Sequence, residues 1–360
     1  MYADVLMGVP SVSRSPLRPA ALVAGLAALA LGLTACGSGQ VDAPTSADTP
    51  QVKIVASTDA WGAVARAVGG NYAQVQSIIS SPDVDPHGYE PTPQNAATVG
   101  EAQLLLMNGG GYDAFMTDLV SASGNKAPLI DAVEVSGIEG AQEAAADDHG
   151  HDHAAEPTTG ADHDHAGEAG AEPAAGAEHE HEHGSFNEHV WYDPAAVGRV
   201  ADQLAEQLGR IDPSAAEYFR TNAQTLRGGV AQLTSKATEI GRAHPGARVA
   251  VTEPVPDYLL QAAGIANATP QAFSSAVEEG TDPPAAVVAQ MLGLFTAQPP
   301  VDALILNSQT TSPTTDQVRD AAQKGGVPVI QMSETLPAGT TDWVQWMNAN
   351  LDELSAALNR

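Results

Sequence analysis

The histidines are unevenly placed. Eleven occur in 360 residues, and eight of them fall in three clusters: His149-Gly150-His151-Asp152-His153, His163-Asp164-His165 and His179-Glu180-His181-Glu182-His183. Imidazoles alternating with carboxylates suit borderline cations such as Zn²⁺, with Ni²⁺ and Cu²⁺ also accommodated and Mn²⁺ the weakest of the series. The alternative is a solvated acidic linker with incidental histidines, which the clustering argues against. Imidazole binds metal only when neutral, so such a stretch should release its ions below about pH 6.5. Two further histidines sit in stiff loops. His87 lies in Asp83-Val84-Asp85-Pro86-His87-Gly88-Tyr89-Glu90-Pro91-Thr92-Pro93, and His189 in Asn187-Glu188-His189-Val190-Trp191-Tyr192-Asp193-Pro194. Proline and glycine restrict such a loop to few conformations. A metal site needs that restriction, because its ligand geometry must be fixed before the ion arrives. Taken alone, His87 could equally be a turn histidine satisfied by hydrogen bonds.

Composition limits what these loops can serve. There are 44 acidic and 15 basic residues, a formal charge of −29. That excess excludes nucleic acid as a partner and electrostatic attraction to anionic membranes. No Lys or Arg occurs between Lys126 and Arg199, and twelve of the acidic residues lie between Gly140 and Gly184. The single cysteine, Cys36, permits neither an intramolecular disulfide nor a cysteine-built zinc site. Its position is informative. Arg14 and Arg18 precede an apolar run from Ala20 to Leu33, which ends in Leu33-Thr34-Ala35-Cys36-Gly37 and resembles a bacterial lipobox. The run is shorter than the roughly 20 residues that span a bilayer as a helix. Residues 1–35 are therefore expected to be a lipoprotein signal peptide and Cys36 the lipid-bearing residue, anchoring the protein outside the cytoplasmic membrane. Residues 36–52 read as a flexible tether.

The elements that must position the loops follow from hydrophobic pattern. Lys53–Ser57 and Ala102–Met107 are apolar strands, with a helix over Trp61–Val68 after the first. Arg248–Thr252, Ala303–Leu306 and Val327–Gln331 form a second series, with Thr314–Gln323 helical between the last two and a final helix from Thr341. Alternating strands and helices predict α/β units with mainly parallel sheets. Between the series, Phe219, Ala223, Leu226, Val230, Leu233, Ala237 and Ile240 step by 4, 3, 4, 3, 4, 3. They mark one amphipathic helix of about 30 residues, starting with Asp212 as N-cap and Pro213 as first residue, against a globular mean of roughly 11 or 12. The expected organisation is an N-terminal α/β lobe (53–211), a linking helix (212–243) and a C-terminal α/β lobe (244–360). Gly140–Gly184, almost without large apolar side chains, is expected to be a disordered insert in the first lobe.

Ile54-Val55-Ala56-Ser57-Thr58-Asp59-Ala60-Trp61, the Asp85-Pro86-His87 loop with Tyr89-Glu90-Pro91-Thr92-Pro93, and Glu188-His189-Val190-Trp191 together resemble the cluster A-I, or TroA-like, solute-binding proteins of zinc and manganese ABC importers. The resemblance runs from Lys53 to the C-terminus. It implies two α/β lobes joined by one long rigid helix, with one metal ion in the cleft between them. It also implies His87 and His189 as the first two ligands and Glu253, after Val249–Thr252, as the third. The fourth ligand, an aspartate in most of the family, has no direct match here. Glu334 is the preferred substitute, with Ser333, Asp59 and Asn307 as alternatives. Two imidazoles and two carboxylates suit Zn²⁺ and Mn²⁺ alike. The histidine-rich insert, lying between His87 and His189, points to zinc and suggests an auxiliary low-affinity store; Glu253 argues mildly towards manganese. The implied partners are an ABC permease and its ATPase subunit, served by a monomeric receptor. A zinc hydrolase is disfavoured because no His-Glu-x-x-His occurs, and no phosphate-binding Gly-x-x-x-x-Gly-Lys-Ser/Thr is present. A metal buffer or adhesin without transport is the remaining class.

Overall fold

The computed structural model describes residues 51–81, 84, 86–142 and 186–360. Cys36, the signal and tether regions up to residue 50 and all eight clustered histidines lie outside these described residues. In the first half of the chain, β1 (Val52–Thr58), α1 (Asp59–Gly69), β2 (Ala73–Ile79), α2 (Pro93–Gly100), β3 (Leu104–Met107), α3 (Phe115–Ser123), β4 (Leu129–Asp131) and α4 (Ala132–Ser136) build one α/β series. Helices α5 (Pro194–Ile211) and α6 (Ala216–Ala243) follow. The second series comprises β5 (Arg248–Val251), α7 (Asp257–Ala263), β6 (Ala266–Asn267), α8 (Gln271–Glu278), α9 (Ala285–Gly293), β7 (Ala303–Asn307), α10 (Pro313–Lys324), β8 (Val329–Met332) and α11 (Trp343–Leu358).

The strands pair in the orders β2-β1-β3-β4 and β6-β5-β7-β8, and every pairing is parallel. A parallel sheet is covered on both faces, so its central strands must be apolar on both sides. Alternation along the strands divides them accordingly. Ile54, Ala56, Leu104 and Leu106 face one buried cluster, while Val55, Leu105 and Met107 face another with Phe115, Met116 and Leu119. In both sheets the chain leaves the first strand to one side and returns on the other. The C-terminal ends of β1 and β3, and of β5 and β7, therefore flank the crevice where open α/β sheets bind ligands.

Helix α6 has 28 residues, about 42 Å at about 1.5 Å per residue. Its buried residues are Phe219, Ala223, Leu226, Val230, Leu233, Ala237 and Ile240, the stripe read from the sequence. The helix packs against α1 and α5 of the first series and against α7 and α11 of the second, so one apolar core runs through both. Its start differs from expectation. Asp212 closes α5 through its N–H to Leu208 O at 2.8 Å, and its carboxylate caps a separate turn, Pro213–Ala215, by accepting from Ser214 N at 3.0 Å. The prolyl turn redirects the chain before α6 begins. Ala141, placed in the insert by composition, is 1 % exposed and belongs to the main core; residues 143–184 of the expected insert lie outside the described residues.

Sequence pattern missed β2, β4 and β6. β2 is an edge strand with only Ile79 buried, and β4 and β6 have three and two residues, too short for a period to register.

Two glycines of α6 have opposite environments. A Cβ on Gly241 would collide with Ala263 O, because α7 ends against it, whereas one on exposed Gly228 would meet no atom within 4 Å. Gly241→Ala is expected to destabilise the protein by about 1–3 kcal/mol. Gly228→Ala is expected to stabilise it by up to about 1 kcal/mol. Thermal denaturation of the two variants beside the parent checks both signs.

Candidate metal centre

The site is built from strand ends. The loop after β2 carries His87 and is anchored on both sides. Tyr89 N–H closes a turn on Pro86 O at 3.2 Å, the Tyr89 ring packs on Phe115 at 5.0 Å, and its hydroxyl donates to Asn95 Oδ1 at 3.1 Å. Thr92 and Asn95 form a reciprocal capping box that starts α2 at Pro93. His189 enters from the segment before α5. Its ring is fully buried beside Tyr112 and Trp191, with centroids at 5.9 and 5.1 Å. At the end of β3, the amide of Asn108 accepts from Trp61 Nε1 at 3.0 Å and donates to Glu188 O at 2.9 Å, fixing the backbone next to His189.

The second series supplies carboxylates. Glu253 follows β5 and Glu334 follows β8; they are 2 % and 1 % exposed. Asn307, the last residue of β7, lies between them and donates through one nitrogen to Glu253 Oε2 at 2.6 Å and Glu334 Oε1 at 2.7 Å. Tyr112 crosses from the first lobe to donate to Glu334 Oε2 at 2.8 Å. Burial, then the Glu334 charge, raises the Tyr112 hydroxyl well above its ordinary range, so it stays protonated and donating.

Among the described residues, two groups of three have ligand atoms within 4.8 Å of one another: His87, His189 and Glu334, and His87, Glu188 and Glu278. His87 belongs to both. Its Nδ1 lies 3.6 Å from Glu188 Oε1 and its Nε2 3.9 Å from Glu334 Oε2. The first group is the drier one, His189 and Glu334 having 0 % and 1 % side-chain exposure against 22 % and 17 % for Glu188 and Glu278. The residues expected from the sequence thus separate. His87, His189 and Glu334 come together, whereas Glu253 is outside both groups and touches the first through Asn307. Asp59 accepts Leu336 N–H at 3.0 Å, and Ser333 donates to Thr335 O at 2.7 Å, so both are engaged elsewhere. Asn307 supports the carboxylates as a donor.

His189 has the character of a waiting ligand. Its Nδ1 is 2.7 Å from Asn187 Oδ1, an oxygen that can only accept, so Nδ1 carries the proton. Nε2 then presents a lone pair, and it is buried with no hydrogen-bond partner among the described residues. Burial, and then the neighbouring His87, hold this imidazole well below its ordinary pKa and therefore neutral. Imidazole oriented by an outer amide beside buried carboxylates is the donor chemistry that a divalent cation requires. Sequence reading missed Glu278, Tyr112 and the orienting role of Asn187. Glu278 ends α8, in a stretch with no ligand motif, and only folding carries it to the cleft. Glu188, adjacent to His189, was within the recognised motif.

Two parallel-sheet lobes, one long helix between them and strand-end loops converging on a His/Glu set define a two-lobed α/β protein with a candidate binding crevice. The model of the family described as zinc-uptake complex component A, periplasmic (ZnuA), matches residues 54–357, and the chain belongs to that family. It is similar to the manganese-binding lipoprotein MntA of Halalkalibacterium halodurans, with 26 % identity over 54 % of this chain and 52 % of that protein. It is also 30 % identical to the manganese ABC transporter substrate-binding lipoprotein PsaA of Streptococcus pneumoniae, over 36 % of this chain and 43 % of that one. The chain spans about half the length of the curated relatives it matches. Among solved structures, the periplasmic zinc binding protein TroA of Treponema pallidum superposes with a TM-score of 0.63 at 18 % identity, covering 86 % of this chain and all of that one. A crystal structure of ZnuA gives 0.61 at 18 % identity, covering 86 % and 99 %. The matched family is one of binding components, not of enzymes.

Glu278 provides a pH test of this charge cluster. Burial, followed by the like charges of Glu188, Glu253, Glu334 and Glu279, raises its carboxyl to about 9. A carboxyl raised on folding stabilises fully below its unfolded value, and the contribution is lost as pH rises through the folded value. The metal-free protein should therefore lose stability between about pH 4.5 and about pH 9. Glu278→Gln should flatten that slope, which calorimetric melting across the range measures.

Proposed function

We propose that the protein is an extracytoplasmic receptor that captures a divalent metal ion between its lobes and delivers it to an ABC permease powered by a cytoplasmic ATPase. One observation carries the reading. His87 and His189 from the first lobe and Glu334 from the second converge within 4.8 Å, with the Nε2 of a fully buried, neutral imidazole lacking a protein partner among the described residues. His189 and Glu334 are dry while the His87 side chain is 25 % exposed; with Glu253 as a fourth protein ligand the set would leave no position open for a substrate, as a receptor requires and a hydrolase does not. The proposed ligands are His87, His189 and Glu334, with Glu253 next to the set and able to join it through a small shift about Asn307. The bound ion is cargo. Anchoring through Cys36 would hold the receptor beside its permease, as the lipoprotein names of the relatives suggest. The proposed organisation is signal 1–35, a tether that ends before β1 at Val52, lobes 52–211 and 244–360, and the linking helix Ala216–Ala243 after the Pro213–Ala215 turn.

Zinc is the proposed cargo. Imidazole nitrogen ranks zinc well above manganese, and the eight clustered histidines favour the same ion as an auxiliary store. A manganese reading has its own support: Glu188, Glu253, Glu278 and Glu334 make the cleft rich in hard oxygen donors, and the relatives MntA and PsaA are named for manganese.

Calorimetric titration of a variant lacking residues 143–184 with each ion separates these readings. Zinc should bind with one high-affinity site and tighter than manganese. His189→Ala and Glu334→Ala should each weaken it by more than about 100-fold, beyond the loss typical of an outer-shell group. Retained affinity in both variants would remove the site assignment. In the full-length chain, additional weak zinc equivalents should appear and vanish below about pH 6.5 as imidazoles protonate. Normal zinc-limited growth of a deletion strain would argue for a buffer or adhesin over an importer component.

A further inference from the structure

One uncharged side chain ties together the two loops that bear proposed ligands. Gln309 lies two residues beyond the end of β7. Its Oε1 accepts from the backbone N–H groups of Glu334 at 2.6 Å and Thr335 at 3.0 Å. Its Nε2 donates to the carbonyl of Val84 at 2.9 Å, in the first-lobe loop that leads to His87. The Gln309 N–H is itself held by Asn307 Oδ1 at 3.0 Å, and the nitrogen of that amide supports Glu253 and Glu334. Gln309 therefore uses its oxygen within the second lobe and its nitrogen across the cleft.

Other bonds cross between the lobes and end elsewhere, as the Tyr192 hydroxyl does on Ser333 O, Trp343 Nε1 on Trp191 O and Leu336 N–H on Asp59 Oδ1. The Tyr112 bond ends on Glu334 Oε2, one of the oxygens that a cation would claim. The Asn187 bond to Pro254 O and the Tyr258 bond to Asn187 O approach from the His189 side. The Gln309 bonds end on backbone groups alone, so a bound ion leaves them intact. They connect the turn of one ligand to the loop of another. Being neutral, the carboxamide adds no charge that would compete for the cation or repel it.

We propose that Gln309 is a positioning residue that latches the His87 loop to the Glu334 turn over the bound ion and so sets how slowly the ion leaves. The proposal rests on the reading of His87 and Glu334 as ligands. Retention in such a cleft depends on how often the lobes part, and a tie across the cleft slows parting without touching the ion.

Two substitutions separate a latch from a simple turn support. Gln309→Met fills the same space and removes all three bonds. Gln309→Glu keeps the oxygen that accepts from Glu334 and Thr335 but cannot donate to Val84. Zinc release from the full-length chain would be followed by stopped flow into a fluorescent chelator, using the kinetic phase that His189→Ala abolishes. Both variants should release zinc about tenfold faster, the scale set by losing one or two hydrogen bonds. Association rates should stay within about twofold, since affinity changes in one site fall mostly on dissociation. The metal-free melting temperature of each variant reports whether it folds, and Gln309→Glu decides the matter if Gln309→Met does not. Parental release from Gln309→Met, or fast release from Gln309→Met with parental release from Gln309→Glu, would overturn the latch. If the parent chain shows no His189-dependent zinc phase, the site assignment fails instead.

Discussion

Two carboxylates, Glu253 and Glu334, are removed almost completely from water within reach of a single amide nitrogen on Asn307. Like charges buried side by side repel and forfeit hydration, and a neutral donor offsets only part of that cost. Glu188 and Glu278 add further acidity nearby, and the charges that act on Glu278 are all of one sign. The cleft is therefore an electrostatic concentration that protons or a cation must relieve. Raised protonation of Glu278 relieves it without metal; an incoming divalent ion would relieve it better. Much of the surrounding structure serves to hold this unfavourable arrangement in place.

That holding is done by backbone ends. Asn108, Glu253, Asn307 and Glu334 all sit at or just beyond the C-terminal ends of parallel strands, and the His87 loop follows another. Parallel pairing points these ends the same way in each sheet, so conformationally stiff strands deliver polar residues to one crevice. The polar contacts are then fixed by bonds between lobes: Tyr192 hydroxyl to Ser333 O at 2.7 Å, Trp343 Nε1 to Trp191 O at 3.0 Å and Leu336 N–H to Asp59 Oδ1 at 3.0 Å. Helix α6 supplies the rigid spacing, since its single apolar stripe is shared by elements of both lobes.

The overall charge of −29 combines two different things. Twelve acidic residues belong to the histidine-rich segment, and four of them, Asp152, Asp164, Glu180 and Glu182, lie between imidazoles. The glutamates of the cleft are few, but burial makes each far more consequential than an exposed carboxylate, because the interaction between charges strengthens as water is excluded.

The apolar strands β1, β3, β5, β7 and β8, the seven-residue stripe of α6 and the stiff loops around His87 and His189 were all legible in the sequence. Each depends on neighbours a few residues away: period, proline, glycine. Family resemblance extended this to Glu253 and Glu334. Local pattern could not tell that Asp212 and Pro213 form a turn ahead of α6, or that a two-residue strand completes the second sheet. Nor could it tell that Glu278 enters the cleft, that Asn307 separates Glu253 from Glu334, or that Gln309 spans the lobes. These features join residues tens to hundreds of positions apart. A side chain's partner, and whether a carboxylate is solvated or stranded, is decided only when packing removes the water around it.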